Sequence, residues 1–290
     1  MCGLGVAAKA TATPAYRTER AHRAQWSVRP CDQVCGMSTD AADAVRVANE
    51  GAHVLQEIRA RQERGEIDAD QARDEGDLRS HQTIMAALEK IHPMDAVLSE
   101  EGKEEEGEER PARLDAPRVW IVDPLDGTRE FGEPPRSDWA VHVALVEQHQ
   151  VTAAAVALPA MGLTFSTDPA PPPPPPMPGP PRIVVSRTRP PRMALDVADT
   201  LKGEIVEMGS AGAKAMAVMR GVVDVYLHGG GQYEWDSAAP SAIAAASGCH
   251  VSRLDGSPLR YNRPNPWLPD LLVCRPELAE RVLAAIASAR

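Results

Sequence analysis

Two carboxylates, Asp123 and Asp126, stand three positions apart at the end of an apolar run and directly before a Gly-Thr pair. Val119 to Val122 are β-forming residues and Gly127 breaks regular structure, so we expect a buried strand whose tip delivers both aspartates. Pro124 stiffens the corner, because its ring fixes φ, and this lets the two acids converge on one cation. Carboxylate oxygens are the ligands that Mg²⁺ takes in proteins. The corner therefore predicts a divalent-metal site that handles phosphate.

The Gly127-Thr128 pair suits the phosphate itself. Gly127 has no Cβ, so backbone N–H groups can approach a phosphate oxygen closely, and the Thr128 hydroxyl can hold a water. We expect that water to be the nucleophile, with Glu100 or Asp77 helping to take its proton. The plain alternative is an Asp-rich turn after a strand, which needs neither Pro124 nor Thr128.

Further acids stand at the ends of predicted elements. Glu100 and Glu101 follow the short apolar segment 96–98, and Asp236 opens a predicted helix. If they converge with the corner, two or three Mg²⁺ ions are needed to offset the repulsion, and such ions clamp the attacking and leaving oxygens at phosphorus. The predicted metal ligands are Glu100, Asp123 as the bridging ligand, the Leu125 carbonyl, Asp126 and Asp236.

Other chemistries find little support. No Ser-His-Asp or Cys-His arrangement is evident, and we interpret His142, in a predicted strand, as a structural residue. Cys31 and Cys35 lack a second pair at zinc spacing. The segment Ser210 to Lys214 is open to two interpretations: a helix amino terminus that binds phosphate, or a glycine-rich cap with a surface lysine.

Composition limits the class of protein. The 290 residues are 43% apolar and 25% charged, which is ordinary for a soluble enzyme, and the net charge of −10 argues against nucleic-acid or membrane-surface partners. No apolar stretch of about 18 residues indicates a transmembrane helix, and the amino terminus does not resemble a secretory signal. We therefore expect a cytoplasmic protein with free thiols.

The first half of the chain alternates helical and strand patterns. Residues 1–37 have no clear period, and we interpret them as disordered or as an over-long start, with Met37 as a possible initiator. We predict a helix capped by Asp40 that ends near Gly65, and a second that starts around Asp77 and stops before Pro93. Antiparallel strands are predicted at 139–146 and 151–158, and residues 100–109 are predicted to form an acidic loop.

The second half follows a run of ten prolines in residues 169–181. We interpret this run as a polyproline II spacer, with an SH3-type ligand as the alternative. Strands are predicted at 183–185, 204–208 and 222–227, and helices at 195–201 and 213–219, with a third capped by Asp236 or Ser237. This alternation indicates α/β architecture, with an α+β amino-terminal half at 38–168 and an α/β carboxy-terminal half at 182–290.

Three separated motifs resemble those of the inositol monophosphatase superfamily of Mg²⁺-dependent, Li⁺-sensitive phosphatases. They are Leu98-Ser99-Glu100-Glu101, Asp123-Pro124-Leu125-Asp126-Gly127-Thr128 and Trp235-Asp236-Ser237-Ala238-Ala239-Pro240, and the resemblance covers residues 38–278. Arg129-Glu130-Phe131 is similar to the CysQ-type 3′(2′),5′-bisphosphate nucleotidase branch, especially its actinobacterial members. The resemblance implies the layered αβαβα sandwich of the sugar-phosphatase type.

For function, the resemblance implies hydrolysis of 3′-phosphoadenosine 5′-phosphate to AMP and phosphate, a step linked to sulfate assimilation, and a possible homodimer. It matches Asp77 to the acid that supports the water. The predicted substrate contacts are Asp126, Gly127, Thr128, Ser186, Arg187, Ser210, Lys214 and Asp236. Two alternatives stay open: the same chemistry on inositol monophosphate or fructose 1,6-bisphosphate, and a non-catalytic phosphate-binding or scaffold protein.

Overall fold

Helices and sheets alternate in five layers in the computed structural model, which describes residues 38–102, 112–175 and 178–289. Helices α1 and α2 cover the outer face of the first sheet, α5 and α6 lie between the two sheets, and α4 and α7 cover the outer face of the second. The helices in these ranges are α1 (Thr39–Glu63), α2 (Ala69–Ile91), α3 (Thr128–Phe131), α4 (Arg192–Leu201), α5 (Ala211–Met219), α6 (Glu234–Ala246) and α7 (Ala279–Ala289). The predicted α/β class and the layered sandwich are confirmed.

The first sheet has the strand order β1-β2-β3-β4-β5, in which β1 and β2 are parallel and the other neighbours antiparallel. Its strands are β1 (Ala96–Ser99), β2 (Val119–Asp126), β3 (Ala140–Glu147), β4 (Gln150–Leu158) and β5 (Leu163–Ser166). Every residue of β2 is buried. Its register with β3 shifts between Asp123 and Asp126, where Pro124 has no N–H to donate. The predicted corner is therefore a bulge inside the strand.

The second sheet has the order β10-β12-β8-β6-β7, with parallel pairs only among β8, β6 and β7. Two short strands, β9 and β11, form a separate antiparallel ribbon. The strands are β6 (Arg182–Ser186), β7 (Glu204–Met208), β8 (Val225–His228), β9 (Gln232–Tyr233), β10 (His250–Ser252), β11 (Trp267–Leu268) and β12 (Leu271–Cys274). In the chain, the strands of the first sheet precede residues 169–181 and those of the second sheet follow them. The division of the chain into two halves stays a prediction.

Five helix starts differ from the predictions: α4 and α5 begin three and two residues earlier than predicted, and α1, α2 and α6 differ in their caps. Helix α1 is capped by Ser38, not Asp40, because the Ser38 hydroxyl accepts the Ala41 N–H. Helix α2 begins eight residues before Asp77, since Asp68 and Gln71 form a reciprocal capping box that outweighs the weak apolar period of this stretch.

The last of these differences concerns α6. The helix begins at Glu234, and the Asp236 carboxylate accepts the Tyr233 N–H at 2.6 Å from inside its first turn. Asp236 and Ser237 are thus helical residues, not caps, and Pro240 stands in the second turn. Because Pro240 has no N–H, it leaves the Asp236 carbonyl without its helical donor.

The proline run lies against the protein where it is described. Arg275 donates to the Pro175 carbonyl, and a Cβ at Gly221 would lie 2.9 Å from the Pro175 ring. Residues 176 and 177 fall outside the described ranges, as do residues 1–37 and 103–111 of the acidic segment, so the predictions for them are unchanged. The spacer role likewise stays a prediction.

Candidate active site

The parallel pairing of β1 with β2 brings Glu100 beside the corner. Ser99 is the register partner of Val122, and the Glu100 N–H donates to the Val122 carbonyl at 3.2 Å. The next residues, Glu100 and Asp123, are therefore neighbours across the two segments of the pair. Glu100 is exposed as a residue, but its carboxyl group is desolvated and faces Asp236, and together these raise its pKa to about 7.

Asp123, Asp126 and Asp236 complete a group of four carboxylates with Glu100. Burial, followed by the charges of Glu100, Asp126 and Asp236, raises the pKa of Asp123 well above its usual value. Burial and the charge of Asp126 raise the pKa of Asp236 to about 6. Carboxylate oxygens that repel one another in this way can bind hard divalent cations, whose charge relieves the repulsion.

Asp126 is held by the amino terminus of α5. Its carboxylate accepts the Ser210 hydroxyl at 2.5 Å, the Ala211 N–H at 3.0 Å and the Gly212 N–H at 2.7 Å. Burial would raise its pKa, but His142, Lys214 and the Ser210 hydroxyl lower it to about 2. Asp126 is therefore the strongest acid of the group.

His142 is the buried residue that sequence reasoning missed. It is the cross-strand partner of Asp123, and its Nε2 lies 3.1 Å from Asp126 Oδ2, which makes an ion pair when the ring is protonated. Nδ1 donates to the Trp235 carbonyl at 3.1 Å, which ties β3 to the start of α6. Burial lowers the pKa of His142, but Asp126 more than offsets this and raises it.

Three side chains of β2 and β3 could together hold a metal ion. Within the described residues, Asp123, Asp126 and His142 offer ligand atoms that all lie within 4.8 Å of one another, and all three are buried. The sequence predicts β2 and β3 as strands, but the alignment that places His142 opposite Asp123 depends on tertiary packing.

Thr128 and Asp77 form the second part of the site. The Thr128 hydroxyl lies 3.2 Å from Asp77 Oδ1 and 3.1 Å from the Leu125 carbonyl oxygen. Burial and the charge of Glu101 raise the pKa of Asp77 to about 7. Because α2 starts early, Asp77 lies inside the helix and not at its end, and the pair can relay a proton near neutral pH.

Gly127 makes the close packing of the corner possible. Its φ of 89° lies in the left-handed region, and a Cβ there would stand 3.1 Å from both the Asp138 carbonyl oxygen and Ser210 Cβ. The corner and the start of α5 therefore approach each other at a position that only glycine fills without strain.

The residues predicted to contact nucleotide lie in two segments, at the end of β6 and at the start of α5. Arg187 forms ion pairs with Glu130 and Glu133, the latter at 2.8 Å. Lys214 is buried, donates to the carbonyls of residues 209 and 210 at 3.1 and 2.7 Å, and lies over the Tyr226 ring. Ser186 Oγ lies 3.3 Å from Thr188 Oγ1. Their contacts with substrate stay predictions.

A layered α/β fold that brings four carboxylates beside a threonine–aspartate pair is typical of a metal-dependent phosphatase. The model of the inositol monophosphatase family matches residues 37–168 and 184–290. The chain belongs to this family, and the predictions of family, fold and phosphatase class are confirmed.

The chain is similar to several characterised relatives. It is 51% identical over 239 residues to the 3′-phosphoadenosine 5′-phosphate phosphatase of Mycobacterium bovis, covering 79% of this chain and 88% of that protein. It is 29% identical over 240 residues to the 3′(2′),5′-bisphosphate nucleotidase CysQ of Escherichia coli K12, covering 79% and 93%.

A solved structure supports the same comparison. The crystal structure of CysQ from Bacteroides thetaiotaomicron, described as a bacterial member of the inositol monophosphatase family, superposes with a TM-score of 0.67 at 25% identity, covering 85% of this chain and 99% of that one. Within the described ranges, no helix has the length and apolar character needed to cross a membrane.

Proposed function

We propose that the chain is a Mg²⁺-dependent phosphatase that removes the 3′-phosphate of 3′-phosphoadenosine 5′-phosphate and releases AMP. The observation that carries the proposal is the convergence of Glu100, Asp123, Asp126 and Asp236 beside the Thr128–Asp77 pair. The choice of substrate is supported by relatives of that name at 47–51% identity.

The four carboxylates and the Leu125 carbonyl would hold two to three Mg²⁺ ions. Bound Mg²⁺ supplies charge that lowers the pKa of water and stabilises negative charge on the phosphate oxygens. The repulsion that raises the pKa of Asp123 is the property that a cation would relieve. His142 balances Asp126 and keeps that carboxylate in place.

Thr128 and Asp77 orient the attacking water and take up its proton. The Thr128 hydroxyl donates one hydrogen, and its oxygen accepts one from water. Asp77, with a pKa of about 7, accepts a proton at neutral pH through this hydroxyl. Glu100, which follows β1, is the second predicted acceptor.

Substrate binding would use the Gly127-Thr128 pair, the end of β6 and the start of α5. The Gly127 and Thr128 amides and the Ser210 region receive the 3′-phosphate, next to Asp126 and Asp236. Arg187 and Ser186 receive the second phosphate, and Lys214 fixes the loop 209–210 from beneath. A phosphate at Arg187 would compete with Glu133, whose side chain is exposed.

The proposal extends to the cellular setting. Such an enzyme clears a by-product of sulfate assimilation, is inhibited by Li⁺ and works in the cytoplasm as a homodimer, on a small nucleotide rather than a nucleic acid. The buried free thiols of Cys249 and Cys274 suit a reducing compartment.

Steady-state kinetics on 3′-phosphoadenosine 5′-phosphate, inositol 1-phosphate and fructose 1,6-bisphosphate test the choice of substrate. We expect the highest kcat/KM on the nucleotide, and the proposal fails if inositol phosphate or fructose bisphosphate leads. An Asp126→Asn variant tests the catalytic role: activity should fall by orders of magnitude, whereas a scaffold protein would tolerate the change.

A further inference from the structure

The ribbon of β9 and β11 carries two exposed aromatic rings on one face. Tyr233 and Trp267 are direct cross-strand partners, so their side chains project to the same side. They are 45% and 44% exposed, and among the described residues they are the aromatic members of the large exposed apolar set. Exposed rings in register on one face are unusual for a surface that only meets water.

Both rings pack against other parts of the protein. The Tyr233 ring stacks on Trp235 with centroids 4.6 Å apart and an interplanar angle of 8°. A Cβ at Gly231 would stand 2.7 Å from the Trp267 indole, so that ring lies directly against the Gly231 backbone. The rings are therefore positioned before any ligand arrives, which reduces the entropy lost on binding.

The ribbon is directly connected to the carboxylate cluster. The Tyr233 N–H donates to Asp236 Oδ2 at 2.6 Å, so the aromatic face begins three residues from a predicted metal ligand. The aromatic pair therefore lies next to the Asp236 end of the predicted metal site.

We propose that Tyr233 and Trp267 form a stacking platform for the purine base of the nucleotide, an inference that rests on the proposed function. A base offers a flat π-face, and stacking on an aromatic side chain stabilises it in the bound state. A phosphate ester without a base would leave both rings in water. The platform therefore provides selectivity for nucleotides over inositol and sugar phosphates, which the carboxylate cluster by itself does not.

The test compares one substrate with and without its base. Wild type and Trp267→Ala are assayed on 3′-phosphoadenosine 5′-phosphate and on ribose 3,5-bisphosphate. We expect Trp267→Ala to raise KM for the nucleotide about tenfold with little change in kcat. Its kcat/KM on ribose bisphosphate should stay within about twofold of wild type, since no base is lost.

Three further variants keep the test falsifiable. Trp267→Phe should restore most of the nucleotide affinity, and Tyr233→Leu, which keeps the backbone contact with Asp236, should repeat the selective loss. Leu195→Ala, an exposed apolar residue on α4, is the matched control and should change neither substrate. Equal losses on both substrates, or no loss on the nucleotide, overturn the platform. A wild type without preference for the nucleotide overturns the proposed function itself.

Discussion

Thr128 donates its hydroxyl hydrogen toward Asp77 across 3.2 Å, and this contact joins the corner after β2 to the middle of α2. The two residues lie 51 positions apart in the chain, and the pairing depends on where α2 begins. Because the capping box starts the helix at Ala69, Asp77 faces the corner from within a rigid element.

The pair should act as a unit. Thr128→Ala and Asp77→Asn each remove one half of the proton path, and we expect each to lower kcat by about 10²- to 10⁴-fold with a small change in KM. Thr128→Ser keeps the hydroxyl and should retain most activity. In the double variant the losses should not add, because both changes break one path. Additive losses would show that the residues act separately.

Glycine at 127 should be required for packing as well as for its backbone angle. Gly127 and Gly162 have φ of 89° and 66°, but a Cβ at Gly162 would meet nothing within 4 Å. Gly162→Ala should therefore cost only the left-handed strain, about 1–2 kcal/mol in the free energy of unfolding. Gly127→Ala should cost about 1–3 kcal/mol more and lower activity, since its Cβ displaces Ser210 from Asp126. Denaturant melts measure the difference, and equal costs would contradict it.

Arg187 should contribute to substrate affinity more than to turnover. Arg187→Ala removes a charge-assisted contact of about 1.5–3 kcal/mol and should raise KM for the nucleotide bisphosphate about 10- to 100-fold, with kcat nearly unchanged. Arg192→Ala is the matched control, because that side chain is 87% exposed and pairs only with Asp196 in the described contacts. A kcat loss as large as the KM change would place Arg187 in the chemical step instead.

Cation binding should stabilise the protein most at alkaline pH. Asp77 and Glu100 have a pKa of about 7, and Asp236 of about 6, so the folded chain holds protons that the unfolded chain has released. Without metal, these groups therefore make the free energy of unfolding highest at acid pH. That free energy falls as pH rises through about 4 to 7. Saturating Mg²⁺ should raise Tm by about 5–10 °C at pH 8 and by less at pH 5. Thermal melts with Mg²⁺ and with chelator measure this, and an equal shift at both pH values would contradict it.

Local sequence signals predicted much of the site. Asp123, Asp126 and Gly127 share one short motif, and Glu100 follows a short apolar strand. Polar residues directly after predicted strands are therefore the signal that predicts them. Asp236 was found as a candidate ligand, but its place in the helix was wrong, because the start of α6 depends on a two-residue ribbon with no visible periodicity.

Long-range relationships could not be predicted in the same way. His142 reaches Asp123 through the register of β2 with β3, and the sequence suggests both strands but not their alignment. Trp267 lies 31 positions after Asp236, and only the pairing of β11 with β9 brings it to the site. Such contacts depend on tertiary packing, which no local pattern encodes.

The central claim is a metal-dependent hydrolysis at the 3′ position, and the direct measurement is product release from 3′-phosphoadenosine 5′-phosphate across a Mg²⁺ titration. Wild type should be inactive with chelator, recover as Mg²⁺ is added and yield 5′-AMP with one equivalent of phosphate. Asp123→Asn should stay inactive at every Mg²⁺ concentration. Hydrolysis that survives the chelator, or 3′-AMP as the product, would contradict the account.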